Sequence, residues 1–269
     1  AESVAHPIKY YRNNVGATMN LLEACLEVGV GRFIFSSTAA LYGEPLETPI
    51  TEEHRLLPIN PYGWSKLMGE QVLRDASTAF GIRFVAFRYF NAAGADSAAG
   101  LGEDHRPETH LIPLAIKAAM GLRDELKVYG TDYDTRDGSC IRDYVHVSDL
   151  ADAHLRGLEY LEGGGESISI NLGTETGTSV LEIIEAVERV TGLKVPHQLD
   201  ERRPGDPAVL VASNGLAKKV LGWTPKRDLD QMIEAAYSFF KSNPDGYPEV
   251  EGNPEGWPRL APAEPTGNV

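Results

Sequence analysis

Tyr62 and Lys66 stand four residues apart in a stretch that reads as helix, so both project from one helix face. An ammonium beside a phenol stabilises the phenolate and lowers the phenol pKa. Bringing a tyrosine from about 10 to about 7 takes about 4 kcal/mol of differential stabilisation. A tyrosine so adjusted is a general base near neutral pH. On the helical wheel, Trp64, Leu67, Met68 and Val72 fall opposite Tyr62 and form the expected packing surface, while Gly69 lies beside the pair. Spacing alone does not select this pair, because Tyr237 and Lys241 repeat it. The hydroxyl upstream is repeated as well: Thr38 precedes Tyr62, and Ser213 precedes Tyr237, by 24 residues in each case.

The elements around each pair separate them. Arg32 to Ser37 is a short apolar run of the buried-strand type and delivers Thr38 to a strand's carboxyl end, where ligands bind in open α/β sheets. Asn60-Pro61 supplies a helix cap and a first-turn proline, and the helix runs to about Ala79. Ile82 to Phe90 is a second buried strand, ending in Arg88-Tyr89-Phe90-Asn91 at the same sheet edge. Tyr237 instead flanks a stripe of Leu229, Ile233, Ala236 and Phe240, the pattern of a packing residue.

Helix and strand alternate along the chain, which indicates a parallel α/β sheet. Asn13 to Val28 is a helix ended by Gly29, Ser167 to Leu172 a third buried strand, and Val180 to Val190 an amphipathic helix. The expected fold is a partial doubly wound, Rossmann-type sheet plus a smaller mixed α/β substrate domain. Residues 1–91 and 144–178 form the first, 92–143 and 179–248 the second, and 249–269 a Pro- and Gly-rich tail. Residues 92–143 are too long for one loop and should contain elements of their own.

Composition bounds the function. The 269 residues are 42% hydrophobic and 24% charged, ordinary for a globular protein, with no apolar run near the length of a membrane span. A net charge of −14 argues against a nucleic-acid partner, since phosphates are repelled. Cys25 and Cys140 are too few for a disulfide framework and read as reduced thiols of a cytoplasmic protein. No metal site is called.

Five segments carry a resemblance: Asn13-Asn14-Val15, Ser36-Ser37-Thr38-Ala39, Asn60-Pro61-Tyr62-Gly63-Trp64-Ser65-Lys66, Arg88-Tyr89-Phe90-Asn91, and Ile141-Arg142-Asp143-Tyr144-Val145-His146-Val147. Together they resemble the UDP-glucose 4-epimerases, which are extended short-chain dehydrogenase/reductases. The likeness runs from Ala1 to about Pro248 and begins inside the family's nucleotide-binding domain; the family's Gly-rich turn and roughly its first four strands are not among these residues. Related sugar-nucleotide dehydratases carry an acidic pair after the active-site threonine, where this chain has Ala39 and Ala40.

The resemblance implies a tightly held NAD, a UDP-hexose substrate and a homodimer joined through the helices that start at Asn13 and Asn60. It implies Tyr62 as base, Lys66 as the group that depresses its pKa and holds the nicotinamide ribose, and Thr38 as partner of the reacting hydroxyl. Asn13, Ser36, Tyr89 and Phe90 match cofactor-lining positions. Asn91, Arg142 and Arg203 match diphosphate contacts, with His110 where many members have asparagine. Asp206 matches a ribose acceptor, Lys127 and Tyr129 flank the uracil, and Leu210 falls where the room around the sugar's 2-substituent is set. The competing expectations are an inactive nucleotide-sugar-binding fragment and a related dehydratase or decarboxylase.

Overall fold

A computed structural model describes residues 2–203 and 205–247. The tail expected at 249–269, and the domain limit at Pro248, lie outside the described residues. The chain opens with two short helices, α1 (Glu2–Ala5) and α2 (Pro7–Tyr10), then a π-helical segment (Tyr11–Gly16) that runs into α3 (Ala17–Glu27). Next come β1 (Arg32–Thr38), a 3₁₀ turn (Ala39–Leu41), α4 (Pro61–Phe80), β2 (Arg83–Tyr89) and β3 (Asn91–Ala93). The expected second-domain stretch does hold its own elements: α5 (Leu111–Ala119), β4 (Leu126–Tyr129) and β5 (Ile141–Arg142). Thereafter follow β6 (Tyr144–His146), α6 (Val147–Glu162), β7 (Ile168–Leu172), β8 (Thr178–Ser179) and α7 (Val180–Thr191). The last elements are β9 (His197–Asp200), β10 (Val209–Leu210), α8 (Gly215–Leu221) and α9 (Leu229–Ser242).

The central sheet is parallel, in the order β1-β2-β7, with Thr38 opposite Tyr89 and Tyr89 opposite Leu172. Both faces are covered, as parallel sheets require, and the period-two alternation of β2 shows how. Phe84 and Ala86 pack with Phe35 against Leu22 of α3 and Leu73 and Ala76 of α4. Val85 and Phe87 point the other way, to Leu150, Ala153 and Leu161 of α6, to α8 and to Trp223. A separate cluster joins β4, α5, α7 and α9 through Ile116, Val128, Ile183, Val187, Ile233 and Phe239. β1 pairs only with β2 among the described residues, so it is an edge of the sheet.

α4 is capped as its sequence indicates. The Asn60 side chain accepts from the Gly63 amide at 2.9 Å, Pro61 takes the first position, and Gly81 closes the helix in the left-handed conformation. Its packing face meets the wheel expectation in part: Leu67 and Val72 pack against the core clusters as expected. Trp64 and Met68 are exposed, whereas Gly63, Ser65, Gly69, Glu70, Leu73 and Ala76 are buried. The reason is close approach. A Cβ on Gly63 would meet Ala40 O at 2.6 Å, and one on Gly69 would meet the Phe35 ring at 2.7 Å. α4 thus lies against the sheet through small residues, Leu73 and one buried charge, leaving Trp64 and Met68 outside.

That charge is Glu70. Its carboxylate accepts from Ser37 of β1 (2.6 Å), from Arg88 of β2 (2.8 and 2.6 Å) and from Ser169 of β7 (3.0 Å), so one side chain ties α4 to all three strands. Burial pushes the Glu70 pKa up, but the Arg88 guanidinium and the two serine hydroxyls outweigh it and leave the pKa below the usual carboxylate value. Arg88 also donates to Tyr42 Oη at 3.0 Å, and Tyr42 donates to Asn171 at 2.6 Å.

Candidate active site

β1 ends at Thr38, whose hydroxyl caps the 3₁₀ turn by accepting from the Ala40 amide at 3.2 Å. The close approach at Gly63 brings the first turn of α4 onto the same spot, and Thr38 and Tyr62 come together there, the threonine hydroxyl acting to lower the phenol pKa. Tyr89, Phe90 and Asn91 arrive from the end of β2, and all five residues border one cleft of about 1440 Å³. That is larger than the usual pocket for one small ligand, roughly 300–1,000 Å³. Strand register, rather than helical spacing, assembles this edge.

Lys66 does not meet the phenol in the way the spacing suggests. Its ammonium donates to Ser36 O at 2.9 Å and lies 5.2 Å from the centre of the Phe35 ring. Burial lowers the Lys66 pKa. For Tyr62, burial raises the pKa and the Thr38 hydrogen bond opposes this; the balance stays above the ordinary phenol value. The expected depression of Tyr62 by Lys66 is therefore absent from the protein alone. The physical reason is that the ammonium is drawn to a backbone carbonyl of β1 and to the Phe35 ring.

The far wall of the cleft carries the other expected residues. Arg142 lies beside Asp206 in a close ion pair, with side chains 13% and 33% exposed. The Arg203 guanidinium stacks 3.8 Å above the Tyr129 ring. Lys127 pairs with Asp200 at 3.2 Å across β4 and β9. Asn91 donates its side-chain amide to Asp143 O at 2.8 Å. His110 precedes α5, packed between the carboxylates of Glu103 and Glu108; their hydrogen bonds and charge raise its pKa to about 10. It is a donor already engaged, rather than one held free for a phosphate.

Among the expected residues, Asn13, Ser36, Lys66 and Leu210 are not part of the cleft lining. Ser36 and Lys66 lie just behind it, on the open edge of β1. Asn13 is exposed within the π-helical segment, and its neighbour Asn14 makes the link to α4, donating to Ser65 Oγ at 2.8 Å. Leu210 packs with Phe90 and Leu56 against Leu41, Tyr42 and Ile50. Leu210 is partly buried and neighbours Phe90, which borders the cleft.

Sequence reasoning missed two neighbours of the site. Glu70 follows Lys66 by one helical turn, and an acidic residue on the face of a helix that shows glycine twice was the available signal. Tyr10 sets its ring edge-on to Tyr62 at 6.1 Å, with its hydroxyl donating to Glu2 at 2.6 Å. Nothing in its local pattern marks it, because the contact spans the chain from α2 to α4.

The chain is similar to known proteins over most of its length. The family model described as GDP-mannose 4,6 dehydratase matches residues 1–236. The UDP-glucose 4-epimerase of Rhizobium meliloti (strain 1021) is 52% identical over 245 residues, which cover 91% of this chain and 75% of that protein. The UDP-glucose 4-epimerase of Lacticaseibacillus casei is 47% identical over 247 residues, again 91% and 75%. Among solved structures, the UDP-glucose 4-epimerase of Brucella ovis in complex with NAD superposes with a TM-score of 0.87 at 51% identity, covering 89% of this chain and 74% of that one. The enzyme of Bifidobacterium longum, in complex with NAD+ and UDP, gives 0.86 at 43% identity, covering 91% and 74%.

Proposed function

The chain belongs to the UDP-glucose 4-epimerases of the extended short-chain dehydrogenase/reductases, and from that premise we propose that its cleft interconverts UDP-glucose and UDP-galactose in galactose metabolism. The observation that carries this reading is the meeting of Thr38 and Tyr62 on one cleft at the carboxyl end of β1, facing a wall with two arginines and Asp206. A dehydratase reading loses support at the turn after Thr38, where Ala39 and Ala40 offer no acid.

The residues present fit the nicotinamide half of NAD. Lys66 has one hydrogen-bond acceptor, Ser36 O, among the described residues, and an ammonium carries three donors. Its two remaining donors suit the hydroxyls of a ribose. Ser36 meets that ammonium through its carbonyl, Asn13 matches a cofactor-lining position, and Tyr89 and Phe90 offer aromatic surface on the cleft. When bound, NAD supplies the two-electron acceptor and donor for C4 of the hexose.

The chain's own groups handle protons and position. Tyr62 Oη takes the proton of the 4-hydroxyl and returns it after the 4-keto sugar has turned over. Thr38 holds that hydroxyl against the phenol. A sugar that must turn is not gripped firmly, so binding energy comes from the nucleotide end. Arg142 and Arg203 suit a diphosphate through paired donors, with Asn91 alongside. Asp206 accepts from ribose hydroxyls once substrate draws Arg142 away from it. Lys127 and Tyr129 border the uracil.

The division into a nucleotide-binding part (1–91 and 144–178) and a substrate part (92–143 and 179–248) is supported by the separate cluster of β4, α5, α7 and α9, while α8 and Trp223 pack with the central sheet. Dimerisation through α3 and α4 is supported by Met19, Leu21, Trp64 and Met68, all large apolar side chains left exposed on those helices. A cytoplasmic setting suits Cys25 and Cys140, which are both free.

The test is direct. The chain is given UDP-galactose and NAD, and the nucleotide sugars are resolved by chromatography. Conversion to UDP-glucose until a fixed ratio is reached supports the proposal. Unchanged substrate with UDP still bound would leave a nucleotide-sugar-binding fragment, and a 4-keto-6-deoxy product would mark a dehydratase.

A further inference from the structure

Glu103, His105, Glu108 and His110 follow β3 and lead into α5, and each presents one ligating atom; these atoms all lie within 4.8 Å of one another. Three of the four border the cleft. The set combines two imidazoles with two carboxylates. Calcium and magnesium favour sets made only of oxygens, whereas imidazole with carboxylate suits zinc and its neighbours.

A second feature points to a missing ligand. The Glu108 side chain is only 6% exposed, and its Oε2 is buried with no hydrogen-bond partner. Its Oε1 is held by the amides of Thr109 (2.7 Å) and His110 (2.8 Å) and faces Nδ1 of His110 at 3.1 Å and of His105 at 3.7 Å. Leaving a buried carboxylate oxygen without a donor costs about 1–3 kcal/mol. A cation held by this carboxylate removes that cost, since a carboxylate can use both oxygens on one ion.

We infer that Glu103, His105, Glu108 and His110 bind one divalent transition-metal ion at the rim of the cleft, with zinc the best match to the donor set. Zinc holds nitrogen and oxygen ligands at about 2.0–2.2 Å, which puts tetrahedral neighbours about 3.4 Å apart. The widest pair must therefore close by about 1.4 Å, a movement within reach of two imidazoles that are each about half exposed. The ion replaces the direct contacts of His110 Nδ1 with Glu103 and Glu108. Arg106, in the middle of the segment, does not oppose it. Its guanidinium is directed to Asp104 at 3.1 Å and to Asp245 O at 2.7 Å. Bound there, the ion fixes the segment before α5 and the position of His110 beside the substrate. The inference is independent of the epimerase reading, because it concerns ligation and is read without turnover.

The experiment takes the full chain, strips it with chelator, dialyses it against zinc chloride alone, and measures metal content by plasma mass spectrometry and affinity by calorimetry. About one zinc per chain is expected, with a raised melting temperature. His105→Ala, at a half-exposed position that leaves the fold intact, should weaken binding by about 100-fold, as should Glu108→Gln. His197→Ala, outside the cluster, should bind as the parent does. Cobalt in place of zinc should give visible absorption that His105→Ala abolishes. No zinc retained at micromolar concentration, or equal affinity in the parent, His105→Ala and Glu108→Gln, overturns the inference.

Discussion

Helices α4 and α9 carry the same local arrangement and come to different ends. Each is N-capped by a short polar side chain, Asn60 or Asp228, and each bears a tyrosine and a lysine four residues apart with a hydroxyl residue 24 positions upstream of the tyrosine. In α4 the upstream hydroxyl, Thr38, meets Tyr62 because β1 delivers it to the sheet edge where α4 begins. In α9 the upstream hydroxyl, Ser213, bonds Glu175 at 3.2 Å, while Tyr237 packs against the cluster around Ile233 and Phe239. A periodic spacing fixes which side chains share a helix face. It does not fix what that face meets, and chemistry depends on the second.

The largest expected difference between the helices is catalytic. Tyr62→Phe removes the phenolic hydroxyl that meets Thr38 at the cleft and should lower kcat by about 10³-fold or more, within the range of general-base losses. UDP binding should survive, since the phenol is not among its contacts. Tyr237→Phe should leave kcat within roughly twofold of the parent. Equal losses in the two variants would show that the comparison has assigned the wrong helix.

The next difference is anchoring. Glu70 fixes α4 to three strands through a fully buried carboxylate, and α9 has no counterpart among the described ion pairs. Glu70→Gln leaves Arg88 buried without its counter-ion, which should cost about 3–5 kcal/mol of stability by urea unfolding. Recovery of stability when Arg88 is also replaced by an apolar residue would locate the cost in the unpaired charge. A loss below about 1 kcal/mol for the single variant would mean the pair contributes no more than an exposed one.

How far the sequence carries this picture can be judged residue by residue. The strands at 32–38, 83–89 and 168–172 and the caps of α4 were legible because each rests on local chemistry: an apolar run, an Asn-Pro start, a glycine stop. The convergence of Thr38, Tyr62 and Phe90 was legible because each stands at a strand or helix end. The outward face of Trp64 and Met68 was not, since small residues at Gly63 and Gly69 decide the packing and a wheel weights them as empty. The direction taken by Lys66 was hidden for a related reason: it is set by a backbone carbonyl of β1, which no residue type reports. For Leu210, family position names the strand, and only the fold shows its packing beside Phe90. The four rim ligands, spread over eight residues, were visible as letters, but only the fold shows a carboxylate oxygen left without a partner.

A finer test concerns the two upstream hydroxyls. Burial raises the Tyr62 pKa, and the Thr38 hydrogen bond lowers it. Thr38→Val removes the lowering contribution alone, so the phenol needs a higher pH to act as base. The acid limb of the kcat/KM profile should move to higher pH, and turnover near neutrality should fall by about tenfold, or ~1.4 kcal/mol. Ser213→Ala should leave the profile where it was. A Thr38→Val limb that stays in place would separate the threonine from proton transfer and leave it only a positioning part.

The smallest expected effect belongs to the cap of α9. The Asp228 side chain accepts from the Gln231 backbone amide at 2.9 Å, while the Asp228 backbone amide donates to Gln231 Oε1 at 3.0 Å. Asp228→Ala should cost about 1 kcal/mol of stability, the usual size of a lost N-cap. It should not alter kcat or KM, because α9 contributes to the core with α5 and α7 and none of its residues borders the cleft. Asn60→Ala removes the same kind of bond from α4, yet Asn60 does border the cleft and precedes Tyr62 by two residues. Its loss should therefore appear in kcat as well as in stability. If the two cap variants differed only in melting temperature and not in turnover, the first turn of α4 would be held by its glycine contacts alone, and capping would have no part in aiming the tyrosine.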